Sequence, residues 1–449
     1  RKQKAHRKNQ KGITLISLVI TIIVLLILAS VAITLAVDSN GLFQRAGQAA
    51  NSWNTSVAEE SGTMENLLGV LDEITGEITI SSELPAGWNS GKVASVAKQG
   101  NKVAPIPVGY TVSDVAGENS IANGLVIYEE TEQVSTDSDA QTSRNQYVWI
   151  PVEDINSMVM CRTHGAGTVS LDPETLQCPE CGTETKLAGR TYAGAWYTDC
   201  LKSQDEEGNY IYTAHQDFNE TNQSYTDNLQ EPAVVDDDEG NHHGLGSATA
   251  FMNQLEDDFE EMARSVAKYG GFYVGRYEAG ENGSSMKNQI VAVGCPNADI
   301  PEEFQETIVG VDNWYGLYEN TRNTSGNIVH SHMMWGSQYD QVMKFIGNES
   351  QEGHPDVQLL YPVKSGMNEN DTMKNIYDLE GNYTEWTAQS YNGGGASPVS
   401  MSEDGRVGRG GNWGNASNGD FYPAAFALSG TPTGGGVNVC ARATLYVAL

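Results

Sequence analysis

The most informative stretch of this chain, residues 375–387, reads NIYDLEGNYTEWT. Asp378 and Glu385 supply hard carboxylate oxygens, and a turn at Gly381 lets the backbone carbonyls there and near Tyr383 point toward one ion. Oxygen donors of this kind suit calcium. The stretch therefore predicts a structural calcium site formed by these four residues, with two solvated carboxylates on a turn as the alternative.

Several segments between residues 147 and 446 resemble, in order, the formylglycine-generating, sulfatase-modifying family. That family has a variant of the C-type lectin fold, and its members hold calcium at positions matching Asp378, Gly381, Tyr383 and Glu385. The resemblance implies an α+β fold with a C-type-lectin-like domain over residues 146–449. It is carried by residues 147–152 (YVWIPV), 271–279 (GFYVGRYEA), the helix around Met343, 375–387, 409–413 (RGGNW) and 441–446 (ARATLY).

The activity of that family is not expected here. Its oxidising members use two cysteines, close together near the C-terminus, to bind copper and activate oxygen. Residues 436–443 read GVNVCARA, so Cys440 is offset from the family position and has no second cysteine near it in sequence. One thiolate does not make the two-sulfur site that soft Cu(I) needs. We expect no enzymatic activity, and a membrane-anchored oxidase of this family is the enzymatic alternative.

The last 42 residues, 408–449, resemble the variable region of proteins diversified by diversity-generating retroelements. Those proteins use a lectin-like fold as a rigid frame and display mutable codons on an exposed face. Tyr and Phe give rigid contact area there, and Ser, Gly and Asn give adaptable hydrogen bonds. An ordinary Gly-rich terminus is the alternative. The resemblance predicts an adhesin that binds an external protein or glycan, with candidate contact positions Asn415, Ser417, Asp420, Phe421, Tyr422, Pro423, Phe426 and Ser429.

A second metal site is indicated by cysteine and histidine spacing. Cys161 and His164, then Cys178 and Cys181, form two halves that each place two donors on one tight turn. Two such turns close a tetrahedral zinc shell, and four protein ligands leave no open position, so the zinc would be structural. Disulfides or free thiols are the alternative. The pattern predicts a zinc-ribbon-like insertion over residues 158–187. The sequence leaves the pairing of Cys200, Cys295 and Cys440 open.

The N-terminus predicts a membrane segment. Residues 13–37 (ITLISLVITIIVLLILASVAITLAV) carry no charge, and 25 residues of helix at 1.5 Å each are long enough for a hydrocarbon core of about 30 Å. The basic cluster before them would stay in the cytoplasm, so the remainder would lie outside the cell. A plain signal anchor is one interpretation.

The junction Lys11-Gly12-Ile13 favours a more specific one, because it resembles the class III leader of type IV pilins and pseudopilins. In that family a prepilin peptidase cuts after the Gly and methylates the new N-terminus, so residues 1–12 would be the leader, with cleavage between Gly12 and Ile13. Pilins usually carry Glu at the fifth mature position, where this chain has Ser17. The resemblance implies the pilus assembly machinery and other pilins as partners, and Ser17 favours a minor or tip subunit over a polymerising structural pilin.

The remaining predictions concern organisation and charge. Residues 13–74 are expected to form the pilin-type transmembrane and amphipathic helix, and residues 75–145 a β-rich connector and linker. Residues 248–269 and 338–346 are expected to be helices, and the polar, Gly- and Asn-rich residues 281–330 to be loop. Six of the 26 basic residues lie in the first eleven positions, so the other 20 face 58 acidic residues and the rest of the chain carries −38. A field of this sign repels phosphate backbones and excludes nucleic acid as a partner.

Overall fold

A computed structural model describes residues 22–26, 78–129, 142–164, 169–190, 248–311, 313–346, 359–391, 405–413, 427–430 and 435–449. The chain divides into two units, Arg1–Leu68 and Gly69–Leu449. In the first unit residues 22–26 are helical, within the predicted membrane segment, and their apolar side chains are about half exposed. Gly12, Ile13, Ser17 and the predicted helix over 38–74 lie outside the described residues.

None of the helices that the structure describes has the length and apolar character needed to span a bilayer.

The second unit is mixed α and β, and rich in strands, as predicted. Its helices are α1 (Ala248–Tyr269), α2 (Trp314–Thr321) and α3 (Gly336–Ile346), with 3-10 turns at Ile155–Ser157, Glu281–Gly283, Asn297–Asp299 and Glu302–Phe304. Its strands are β1 (Thr79–Ser81), β2 (Val93–Gln99), β3 (Lys102–Pro107), β4 (Tyr110–Val112), β5 (Val126–Glu129), β6 (Gln146–Pro151), β7 (Val159–Cys161), β8 (Leu187–Gly189), β9 (Gly271–Gly275), β10 (Val291–Val293), β11 (Ile308–Gly310), β12 (Val329–Met333), β13 (Thr372–Met373), β14 (Ile376–Tyr377), β15 (Thr384–Tyr391), β16 (Gly405–Arg409), β17 (Ala427–Gly430), β18 (Val439–Ala441) and β19 (Ala443–Val447).

The central element is a six-stranded sheet in the order β12-β19-β9-β6-β5-β4. Successive side chains of a strand point to opposite faces, and here both faces are apolar. Val148 and Ile150 of β6 enter a large hydrophobic cluster with α1 and α3, whereas Tyr147 and Trp149 enter a second cluster with β2 and β3. The sheet is therefore covered on one side by helices and on the other by the β2–β3 hairpin.

The described part of the predicted connector pairs and packs with the domain that follows it. Strands β4 and β5 pair within the six-stranded sheet, with Val126 opposite Val148 and Ile127 opposite Tyr147. Ala97, Ala104 and Ile106 also lie in the cluster that covers this sheet. The short apolar strands of residues 93–129 are buried by the domain that follows them, so they are part of its core rather than a linker.

A second sheet, ordered β17-β16-β15-β18, carries the motifs that the sequence singled out. Its strand β15 contains Glu385 and Trp386 and pairs in parallel with β18. One residue, Arg442, separates β18 from β19, which belongs to the central sheet. The two sheets are thus joined at the point where Arg442 lies.

The helix predictions are largely confirmed. The helix over residues 248–269 is present, and the helix predicted over 338–346 begins two residues earlier, at Gly336. Helix α2 lies in a region predicted to be loop. It is short and is capped by Asn313, whose side chain accepts hydrogen bonds from the N–H groups of Tyr315 and Gly316. An eight-residue helix capped by Asn and filled with buried aromatics gives little periodic signal.

Candidate functional site

Cys161, His164, Cys178 and Cys181 converge on one point. The Nδ1 atom of His164 lies 3.4, 3.3 and 3.6 Å from the sulfurs of Cys161, Cys178 and Cys181. The sulfurs of Cys161 and Cys181 are 3.8 Å apart. A tetrahedron with Zn–S of about 2.3 Å and Zn–N of about 2.0 Å has edges of roughly 3.5–3.8 Å. The donor set and its spacing therefore fit a metal ion, zinc among them, as the sequence predicted.

A short hairpin brings these four ligands together. Cys161 ends β7 and pairs with Leu187 of β8, while the other two cysteines lie in the turn between, where the N–H of Gly182 bonds to the carbonyl of Cys178. The three cysteines are free thiols, so the disulfide alternative does not apply to them. The hairpin spans Val159–Gly189, within two residues of the predicted insertion.

The metal ligands have shifted pKa values. Burial tends to raise the pKa of the Cys161 thiol, but hydrogen bonds from His164 outweigh it and lower the pKa to about 7. The hydrogen bond with Cys161 raises the pKa of His164 above 6.5. The contact with His164 thus favours the thiolate of Cys161, the form of cysteine that binds metal, whereas burial raises the pKa of the Cys181 thiol to about 11.

The hairpin is tied to the body of the domain. Leu171, Leu176 and Leu187 belong to the same hydrophobic cluster as α1 and α3. On the surface, Arg162 forms an ion pair of 2.8 Å with Glu256 of α1. The predicted insertion therefore does not stand apart from the domain. Its leucines are part of the main core, so a folded hairpin helps to complete that core.

The stretch 375–387 lies at the join between the two sheets. The guanidinium of Arg442 donates to Oε1 of Glu385 and to the carbonyl of Tyr377, and both side chains are fully buried. Asp378 has a φ of 59°, and its Oδ2 accepts from the hydroxyl of Ser365 and the N–H of Gly366. The motif thus serves as the buried link between β15 and β18.

The four predicted calcium ligands are close in sequence, but they differ in whether their polar groups already have hydrogen-bond partners. The N–H of Gly381 bonds to Asp371 and the N–H of Tyr383 to Glu278. The Oδ1 of Asp378 and the Oε2 of Glu385 are buried without a hydrogen-bond partner among the described residues. Such orphaned carboxylate oxygens fit a hard cation, although Arg442 already places a positive charge beside Glu385. Calcium at these residues stays a prediction.

Two buried carboxylates in this region were missed from the sequence. Glu278 accepts from Asn382 at 2.7 Å, and Asp371 accepts from the backbone N–H groups of Glu380 and Gly381. Burial, and next the charge of Asp378, raise the pKa of both carboxyl groups well above the ordinary range. Glu278 lies in the GFYVGRYEA segment, just after strand β9. Its position in that motif was the sequence signal that could have identified it as a site residue.

The tail has a defined frame. Strands β16 and β17 are antiparallel, with Arg409 opposite Ala427, so the segment between them, residues 410–426 and called the loop below, starts and ends at paired positions. Arg409 forms a buried ion pair of 2.9 Å with Asp340 of α3. Gly410 has a φ of 74°, and a Cβ there would lie 2.8 Å from the carbonyl oxygen of Leu379. These contacts explain why the segment RGGNW is needed before the loop.

The beginning of the loop is also fixed. The N–H of Trp413 bonds to the carbonyl of Asn382 at 2.9 Å, and its ring packs edge-on against Phe304 with centroids 5.4 Å apart. Ser429 lies in β17 opposite Val407. The other seven candidate contact positions lie outside the described residues: Asn415, Ser417, Asp420, Phe421, Tyr422, Pro423 and Phe426.

The remaining cysteines differ in their environment. Cys295 and Cys440 are buried, free and part of one hydrophobic cluster, although 145 positions separate them in sequence. Burial, and next the charge of Glu278, raise the pKa of the Cys440 thiol well above its usual range. A thiol with a raised pKa is a poor nucleophile and a poor metal ligand. Cys200 lies outside the described residues.

Comparison with known proteins identifies the N-terminus. Residues 7–33 match the family model of the prokaryotic N-terminal methylation motif. The predicted leader is thereby confirmed as a prepilin-type motif. It implies processing by a prepilin peptidase and the pilus assembly machinery, and it indicates a cell-surface or pilus-associated protein. No curated protein matches the chain.

Three solved structures with low sequence identity are similar to this one. The Treponema denticola variable protein 1 has 13% identity, covers 67% of this chain and 95% of its own, and gives a TM-score of 0.21. The Major Tropism Determinant M1 variant has 11% identity, covers 84% and 88%, and gives 0.29. The U1 variant of that protein has 13% identity, covers 79% and 92%, and gives 0.28. All three TM-scores are below 0.5, so these similarities support no conclusion about the fold of this chain.

Proposed function

We propose that this chain is a surface-displayed, pilus-associated binding protein whose C-terminal loop, residues 410–426, contacts an external protein or glycan. The loop is carried on a C-type-lectin-like frame and is diversified by a retroelement. The protein is a minor or tip subunit rather than a polymerising pilin, because Ser17 lacks the charge that sets register in a filament core. It works by binding and not by catalysis.

One observation carries this proposal: a sequence with the composition of a paratope lies between two ends that are rigidly held. Arg409 is anchored on Asp340 and paired with Ala427, and Trp413 is anchored on Asn382 and Phe304. A loop whose closure is enforced by the frame tolerates changes in its interior. This arrangement suits a surface that must vary while the fold persists.

The surroundings of the loop also suit binding. Asn382, which holds Trp413, exchanges two hydrogen bonds of 3.1 Å with the backbone of Val363. Just before Val363, the side chains of Leu360 and Tyr361 are 75% and 67% exposed. Large exposed apolar side chains are typical of the anchors of a binding surface.

The metals in this proposal are structural. Zinc is held by Cys161, His164, Cys178 and Cys181, and its four protein ligands leave no position for a substrate. Calcium at Asp378, Gly381, Tyr383 and Glu385 is the finer and separate part of the proposal, supported by the two orphaned carboxylate oxygens. Loading the full chain with each metal separately, followed by native mass spectrometry, tests both.

The experiment for the binding role compares the full chain in detergent with a variant whose residues 414–426 are replaced by a Gly/Ser linker of equal length. Both are applied to a glycan array and to immobilised surface proteins of neighbouring bacteria. We expect the wild-type chain to bind and the variant to lose binding while keeping its melting temperature. Equal binding by both would reject the loop as the contact surface. Copper binding with oxygen consumption would favour the oxidase alternative instead.

A further inference from the structure

We infer that Glu180 is a positioning residue for the metal ligand His164. Its carboxylate holds the imidazole ring so that Nδ1 faces the three cysteine sulfurs. This inference rests on the zinc site of the proposed function and adds a fifth, non-ligating member to it. The spacing of cysteines and histidine gave no reason to assign Glu180 any role.

The geometry of the ring carries the inference. Oε2 of Glu180 lies 2.9 Å from Nε2 of His164, on the side of the ring away from the sulfurs. The other nitrogen, Nδ1, lies within 3.6 Å of all three sulfurs. A neutral imidazole has one N–H donor and one lone pair. Donation from Nε2 to Glu180 therefore leaves the Nδ1 lone pair for the metal, and it fixes both the tautomer and the rotation of the ring.

The position of Glu180 in the chain gives this contact a further consequence. Glu180 lies between Cys178 and Cys181 in the second half of the site, whereas His164 belongs to the first half. The contact therefore joins the two halves without the metal, in addition to the β7–β8 ladder. Because Glu180 already restricts the His164 ring, the ring loses less conformational entropy when zinc binds. Zinc should therefore bind more tightly and dissociate more slowly.

A simpler interpretation is a surface ion pair with no effect on the metal. The side chain of Glu180 is 63% exposed, and exposed pairs add little to the stability of a fold. The two interpretations differ in what they predict. A surface pair changes neither zinc affinity nor release, whereas a positioning residue changes both and leaves the zinc-saturated fold intact.

The test uses the full chain in detergent and four forms of it: wild type, Glu180→Ala, Glu180→Gln and the control Glu184→Ala. Glu184 is an exposed acid of the same hairpin, three residues beyond Cys181. Zinc affinity is measured by competition with a chromophoric chelator, and zinc release by its rate of transfer to that chelator. Melting temperatures at saturating zinc confirm that each variant folds. Replacement of zinc by cobalt allows the absorption spectrum of the metal to report on the geometry of its ligands in each form.

We expect Glu180→Ala to weaken zinc binding about 10- to 100-fold, in line with the loss of second-shell partners at other metal sites. Glu180→Gln, which keeps an acceptor oxygen, should fall between Glu180→Ala and the wild type, and Glu184→Ala should match the wild type. Equal affinity and release for Glu180→Ala and Glu184→Ala would overturn the role of Glu180 while leaving the zinc site standing. A wild-type chain that binds no zinc would overturn both.

Discussion

Arg409 lies opposite Ala427 in the ladder between β16 and β17, and its side chain is at the same time ion-paired with Asp340 in the core. One residue thus fixes the entrance of the loop 410–426 to its exit and to helix α3. The frame of the tail is built from buried charges and backbone pairing outside the loop. This separation between frame and loop is the basis of the proposed binding role.

The buried link between Glu385 and Arg442 should contribute strongly to the stability of the second unit. Arg442 lies among Glu278, Asp378 and Glu385, and donates to the carbonyls of Gly275 and Tyr377 as well. Removing one member of a buried pair costs about 3–5 kcal/mol. We expect Arg442→Met to lower the free energy of unfolding by at least that amount, measured by thermal and denaturant unfolding.

Two comparison variants sharpen this prediction. Glu385→Gln should cost less than Arg442→Met, because it removes one carboxylate from a region with a surplus of them. Glu369→Gln, in a pair with Lys287 where the carboxylate is 78% exposed, should change stability by less than about 1 kcal/mol. If Arg442→Met were as mild as Glu369→Gln, the pair would not hold the two sheets together.

Zinc removal should destabilise the whole domain and not only the hairpin, because Leu171, Leu176 and Leu187 pack into the main core. A metal at about 1,000 times its Kd adds about 4 kcal/mol, and each kcal/mol shifts Tm by roughly 2–4 °C in domains of 150–250 residues. A zinc-selective chelator should therefore lower Tm by roughly 8 °C or more. Near-UV circular dichroism, which reports on core aromatics, is the measurement.

The double variant Cys178→Ser/Cys181→Ser provides the control for that experiment. It should start from the lower Tm and not respond to the chelator. A wild-type protein whose core signal melts at the same temperature with and without chelator would contradict the coupling between hairpin and core.

A pair at the edge of the central sheet predicts a pH dependence of stability. Nδ1 of His330 lies 2.9 Å from Glu261, and Nε2 lies 2.7 Å from the carbonyl of Gly326, so both ring nitrogens face acceptors. The hydrogen bond with Glu261 raises the pKa of His330 above 6.5, and the same contact lowers the pKa of Glu261 below 4.5.

The signs of these shifts define the window. The raised pKa of His330 adds stability that is complete below 6.5 and is lost as pH rises through the folded value. The lowered pKa of Glu261 adds stability that is present above 4.5 and is lost as pH falls through its folded value. The Tm difference between wild type and His330→Gln should therefore be largest between about pH 4.5 and 6.5 and smaller at pH 8.5. A difference that stays constant across that range would argue against the charged pair.

The methylation motif predicts a defined mature N-terminus. In cells with a prepilin peptidase, the protein should begin at an N-methylated Ile13, and Gly12→Asp should retain the leader because the peptidase needs a small residue before its cut. Mass spectrometry of the N-terminal peptide distinguishes the two forms. An intact leader in the wild-type protein would exclude the pilin route to the surface.

The sequence predicted that Cys161, His164, Cys178 and Cys181 come together, because all four lie within 21 positions and two tight turns bring them close. It predicted helices α1 and α3 for a similar reason, since the apolar pattern of a helix is local. It did not predict that β4 and β5 complete the central sheet, because pairing between distant strands has no local signal. Nor did it reveal the Glu385–Arg442 link, whose partners lie 57 positions apart and meet only through the β15–β18 pairing.

The most direct measurement of the central claim is the sequence of this gene across sibling isolates. If the loop is the variable contact surface of a constant frame, amino-acid changes should cluster within residues 414–426, while Arg409, Trp413 and Arg442 stay unchanged because they hold the frame. Changes scattered evenly along the gene, or substitutions at those two arginines as often as in the loop, would contradict the account.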